Sequence, residues 1–188
     1  MRTPLTPGDL EAVELAAAPD PRSQQAVADL LQLWATGTHP DDSVSRGRLL
    51  VAASEHAVFA NESARAVRLA REAIETRDTV SPDTRCYLIS ALLADDQLCE
   101  ALELTEDVLD DRGGDAEVLV FLGEEFGFHG QPRLAHLILT RGLYRCADDE
   151  EATELLLSAL RRIRSAAPSS VDVRDVIPAR PGPGWLTA

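Results

Sequence analysis

Three alanines set the frame for this chain. Ala66, Ala101 and Ala135 each stand in the first third of a helical segment. They recur with a period of about 34 residues, long enough for a helix, a turn and a second helix. Such a unit cannot bury its apolar face alone and must stack on its neighbours. Around the alanines, apolar residues recur at helical spacing from about residue 8 to 166, with short breaks carrying helix-starting or helix-ending residues. The spacing predicts about nine helices, over 7–18, 22–36, 45–60, 62–77, 82–95, 97–111, 116–129, 131–145 and 149–167. In the second, Ala26, Leu30, Leu33 and Trp34 read as one apolar stripe. Pro82 is expected in the first turn of the fifth helix, and Pro132 at the start of the eighth, where a missing N–H is harmless. No stretch alternates as a strand or hairpin would.

The segment "VFLGEEFGFHGQPRLAHLILTRGL", Val120–Leu143, is the most demanding. A glycine inside a helix costs roughly 0.8–1 kcal/mol relative to alanine, so its glycines need a reason. Gly123 and Ala135 are expected to be small because two helix backbones cross there. Gly130 is expected to end the seventh helix in a conformation that favours a residue without Cβ, and Gly142 to admit the next unit. Gly127 has no role in this reading.

Leu119, Leu122, Gly123 and Phe126, then Gly130 at the turn, Ala135, and Gly142 in the place of a second alanine, form a large-large-small-large pattern. It resembles the tetratricopeptide repeat. Two earlier units follow it less closely. Leu50, Ala53, Ser54, Ala57, Ala66 and Ala73 fit in the first, with Asn61 at the turn; Leu88, Leu92 and Ala101 fit in the second, with Asp96 at the turn, but with Ile89 and Val108 at positions that are usually small. The resemblance covers 44–166, and 8–36 looks like a degenerate pair. It implies an all-α chain: a right-handed α-solenoid of antiparallel helix pairs over 1–166, closed by a final solvating helix, then a proline-rich extended tail, 167–188.

Composition narrows function. The formal charge of −14 argues against non-specific nucleic-acid or anionic-membrane binding. Cys86, Cys99 and Cys146 are odd in number and widely spaced; they are expected to be buried thiols, with no disulfide and no metal site. No signal-peptide run or membrane span is visible, so a cytoplasmic location is expected. No nucleophile, phosphate-loop or metalloprotease motif occurs, and the four histidines are expected at exposed or rim positions. Adjacent carboxylates such as Glu124 and Glu125 point about 100° apart on a helix and do not converge. The chain is therefore read as no enzyme, with no cofactor. The basic cluster Arg161, Arg162 and Arg164 is expected to complement the last helix's C-terminus, or to meet acidic surface.

The resemblance also implies a concave face lined by the first helix of each pair. It places Arg48, Val51, Glu55, Val58, Asp83, Cys86, Tyr87, Ser90, Glu117, Val120, Phe121, Glu124 and Phe128 there. Relatives that grip a terminal carboxylate use Lys; here Val51, Cys86 and Val120 hold that position, and the chain has no Lys. The face suits a protein or peptide with an apolar or basic segment, with a second copy of the chain as an alternative occupant. In the tail, Ile177 and Trp185 are candidate anchors, because a free segment gains nothing by exposing an indole. The expected function is a non-catalytic adaptor or scaffold. The rivals are a dedicated regulatory or chaperone-like subunit and an accessory domain of an enzyme system.

Overall fold

The computed structural model describes residues 3–37 and 39–166, and every regular element among them is a helix. In order these are α1 (Pro7–Ala16), α2 (Pro21–Thr36), α3 (Arg46–Phe59), α4 (Ser63–Thr76), α5 (Thr84–Ala94), α6 (Leu98–Arg112), α7 (Ala116–Phe128), α8 (Pro132–Arg145) and α9 (Glu150–Ala166). The chain divides between Asp96 and Gln97 into two compact units. The first holds α1–α5 and the second α6–α9.

The repeat read from the alanines is present in the backbone. Asn61, Asp96 and Gly130 have φ of 61°, 57° and 74°, and they recur with the same period as the alanines. Glu62, Gln97 and Gln131 follow with nearly one conformation, φ −104°, −91° and −111° with ψ 51°, 54° and 54°. At Gly130 the hydrogen bonds are those of a Schellman turn: Gln131 N–H donates to Phe126 O at 2.8 Å and Gly130 N–H to Gly127 O at 3.3 Å. Asn61 makes the same pair, with Glu62 N–H to Ala57 O at 2.8 Å and Asn61 N–H to Val58 O at 2.9 Å. Among residues with a Cβ, Asn and Asp are enriched in this region, so three different residues serve one turn.

In the first unit, the polar contacts fix helix directions. Ser54 Oγ donates to Ala66 O at 2.9 Å, while at the far end Gly47 N–H donates to the Asp78 carboxylate at 2.6 Å. The start of α3 thus lies beside the end of α4, and the two run antiparallel. On the other flank, Arg46 Nε donates to Ala35 O at 3.1 Å and His56 meets Gln24, so α2 and α3 are antiparallel too. Ala53, Ala57, Ala66, Ala70 and Ala73 are fully or almost fully buried between larger neighbours such as Leu49, Leu50 and Leu69.

Two expectations are corrected here. The buried stripe of α2 is Gln24, Val27, Ala28, Leu31 and Ala35, not the one expected. Ala26 is exposed, Leu30 and Trp34 are half-buried, and Leu33 is 66% exposed. Both stripes have helical period; the one carrying Ala28 and Ala35 lets α2 approach α3 closely. Pro82 lies before α5, not in its first turn. Asp83 is the N-cap, its Oδ1 accepting from Arg85 N–H at 2.9 Å.

In the second unit, α7 and α8 meet in three rungs. A Cβ added to Gly142 would stand 3.0 Å from Leu119 Cδ1; one on Gly123 would stand 2.6 Å from Leu139 Cγ; one on Gly127 would stand 3.8 Å from Ala135 Cβ. The rungs descend one helix as they climb the other, so the pair is antiparallel. Gly123 therefore receives Leu139 and does not face Ala135 as expected; Gly127 does. Two of these glycines also seat α9. Leu156 approaches the Gly142 position to 3.0 Å and Ile163 the Gly127 position to 3.3 Å. Helix α9 starts with Glu150 and Glu151 and ends with Arg164, matching the helix dipole, and buries Leu156, Ala159, Leu160 and Ile163. At the end of α6, Arg145 reaches back from α8, and its Nη1 donates to Leu109 O at 2.6 Å. Gly113 is what admits it, since a Cβ there would fall 1.5 Å from that nitrogen.

Candidate functional site

In the first unit, the residues expected on the concave face split into a lining and an interior. Val51 and Cys86 are completely buried and Tyr87 nearly so. They are packing residues of α3 and α5, and their placement among groove-lining residues is corrected: each turns into the interior as its helix packs on the other. Arg48, Glu55, Val58 and Ser90 are half-buried. Arg48 Nη2 donates to Glu14 Oε1 of α1 at 3.2 Å, and its Nη1 lies 3.7 Å from Glu55 Oε2. One guanidinium thus stands between two carboxylates. The Tyr87 hydroxyl donates to Ser81 O at 2.7 Å. Burial, reinforced by the Glu55 carboxylate, pushes its pKa up to about 12, so this phenol is a fixed neutral donor. Asp83 caps α5 and binds Arg85, with Arg85 Nη2 at 3.0 Å from its Oδ2, which makes it a structural residue.

In the second unit, the expected residues of α7 do form one stripe. Glu117, Val120, Phe121, Glu124 and Phe128 are spaced for a single helix face, opposite the buried Val118, Leu119, Leu122 and Phe126. Glu117 is exposed, Val120 and Phe121 are half-buried, and Phe128 is 76% exposed. Glu124 is already engaged: Arg162 of α9 grips its Oε1, with Nε at 2.7 Å. The stripe thus combines Val120, Phe121 and Phe128 with two acids, the exposed Glu117 at its N-terminal end and Glu124, which Arg162 holds. That pairing assigns one arginine of the basic cluster to the protein's own acidic surface. Arg164 takes another role, approaching His136 Nε2 at 3.1 Å.

The histidines correct another expectation. His56 and His136 are buried, at 9% and 6% exposure, not at the rim. Gln24 Nε2 donates to Ala18 O at 2.8 Å, which leaves Gln24 Oε1 to accept from His56 Nδ1 at 2.6 Å. His136 Nε2 must be unprotonated to accept from Arg164. Burial first, then the charge of Arg48 or Arg164, lowers both pKa values. Both rings are structural acceptors and donors held neutral. Among the thiols, Cys86 and Cys146 are buried as expected, whereas Cys99 is exposed.

Among the described residues no three His, Cys, Asp or Glu side chains gather as a metal site, and no helix is long and apolar enough to cross a membrane. Ile177 and Trp185 lie outside the described residues. No protein-family model, curated protein or solved structure matches the chain. The site must be read from its own chemistry.

Proposed function

We propose that the protein is a non-catalytic adaptor of tetratricopeptide-repeat type, a right-handed α-solenoid that binds a protein or peptide segment along the exposed stripe of α7. The observation that carries this reading is the stripe itself. Val120, Phe121 and Phe128 leave apolar surface on a helix whose opposite side is already used by α8 and α9. An apolar strip with a carboxylate at one end suits an apolar segment carrying a basic residue, the arrangement in which side-chain pockets give affinity and charge gives orientation. The three equivalent turns support the repeat architecture, which presents one helix of each pair on a common surface.

Affinity capture from the native cell tests the reading. The tagged wild-type chain is compared with a Val120→Asp, Phe121→Asp variant, and the bound proteins are identified by mass spectrometry. A protein retained by the wild type and lost from the variant, with helical circular dichroism unchanged, is the expected result. Equal capture by both removes α7 from the interface. Retention of a specific metabolite in place of a protein would favour an enzyme system.

A further inference from the structure

We infer that the patch formed by Phe128 and His129 at the end of α7 is the docking site of the chain's own C-terminal segment, residues 167–188. Phe128 is 76% exposed, and its ring meets the His129 ring edge-on, with centroids 5.2 Å apart. His129 Nε2 is buried, stands 3.8 Å from Glu125 Oε2, and has no hydrogen-bond partner among the described residues. The patch thus offers an exposed aromatic face, held edge-on by the His129 ring, which suits the apolar side chains of an extended segment.

The place where the described chain ends selects the occupant. Ile163 packs on Gly127, the residue before Phe128, and Ala166 follows Ile163 by less than one helical turn. The segment that continues from Ala166 therefore departs from beside the patch. It contains Val171, Val173, Val176, Ile177, Trp185 and Leu186, with Trp185 close to its far end. At about 3.3–3.6 Å per residue, the chain between Ala166 and Trp185 reaches the patch with ample slack. A tether of this kind holds the segment at an effective concentration of roughly millimolar, so even a weak contact is populated without a second molecule. A second copy would have to reach that concentration in free solution. Docking there stands without the adaptor reading. It rests on that reading only for its consequence, that the segment occupies the end of the partner stripe and must be displaced.

The test uses the full chain carrying Trp34→Phe, in which Trp185 is the remaining indole. The expected result is a blue-shifted emission, protected from acrylamide, that moves to the solvated value with several-fold faster quenching in Phe128→Ala. Should Trp34→Phe weaken the fold, the difference spectrum between the wild type and Trp185→Phe reports the same indole. A solvated Trp185 in the parent overturns the inference. So does a buried Trp185 indifferent to Phe128→Ala, which would place the anchor elsewhere. A blue shift that disappears on dilution assigns the patch to a second copy and overturns docking in cis. No partner enters the assay, so failure of the adaptor reading leaves its outcome untouched.

Discussion

Gly127 faces Ala135 across the α7–α8 interface: a Cβ on the glycine would lie 3.8 Å from the alanine's Cβ and 3.3 Å from Ile163 Cγ1. Three helices meet at this point, and two small residues make the meeting possible. Ala135→Leu should overpack it and cost about 1–3 kcal/mol. Gly123→Ala should also destabilise, despite alanine's better helix propensity, because Leu139 Cγ already stands 2.6 Å from the new atom. Urea unfolding measures both. Glu103→Ala, on the exposed side of α6, should change stability by less than about 0.5 kcal/mol. Equal losses at all three positions would contradict the rungs.

Arg145 and Gly113 should behave as one unit. Gly113→Ala displaces the guanidinium from Leu109 O, and Arg145→Ala removes it. Each should cost about 1–3 kcal/mol, since a carbonyl at the end of α6 loses a charged donor. The double variant should cost clearly less than the sum of the two, and a double-mutant cycle by thermal unfolding reads this. Strict additivity would mean that the glycine serves another purpose.

Acid should weaken the fold through its buried histidines. His56 and His136 both have pKa values below the ordinary 6.5, chiefly from burial. The unfolded chain therefore binds these protons more tightly than the folded one. Their contribution is full above the ordinary histidine value and is lost as pH falls through the lower folded values. The thermal midpoint should drop as the solution is taken from neutral to mildly acidic, and His136→Gln should flatten part of that slope. An unchanged slope in that variant would assign the acid sensitivity elsewhere.

Partner binding along α7 should depend on Glu117 more than on Glu124. Arg162 covers the second carboxylate, which is half-buried, and Glu117 is the more exposed of the two. Glu117→Arg should slow association with a basic-apolar segment and reduce its salt dependence. Glu124→Gln should leave both nearly as they were. Stopped-flow association at two ionic strengths separates the two variants, and a larger effect at Glu124 would count against the pairing.

The helices were legible because their punctuation is local. Asn61, Asp96 and Gly130 mark the turns, Ser45 and Asp115 cap α3 and α7, and Pro132 opens α8. Facing was legible only in part. In α2 two stripes share one period, and only the neighbour that packs there decides between them. Gly127 lacked a reason until Ile163, distant in sequence on α9, came into contact with it. The same separation hid the pairing of Glu124 with Arg162. His56 reads as a surface residue by type; it is buried because Gln24, itself buried, supplies its partner. Local chemistry set the elements, and long-range contact set which atoms remained available to a ligand.

The most direct test of the central claim is the footprint of a captured partner segment on the isotopically labelled chain, read as backbone amide shift changes on titration. The largest changes are expected on Glu117, Val120, Phe121, Glu124 and Phe128, with smaller ones at Arg162, whose side chain contacts Glu124. Changes concentrated on α2, or on the exposed carboxylates of α6, with α7 silent, would contradict it.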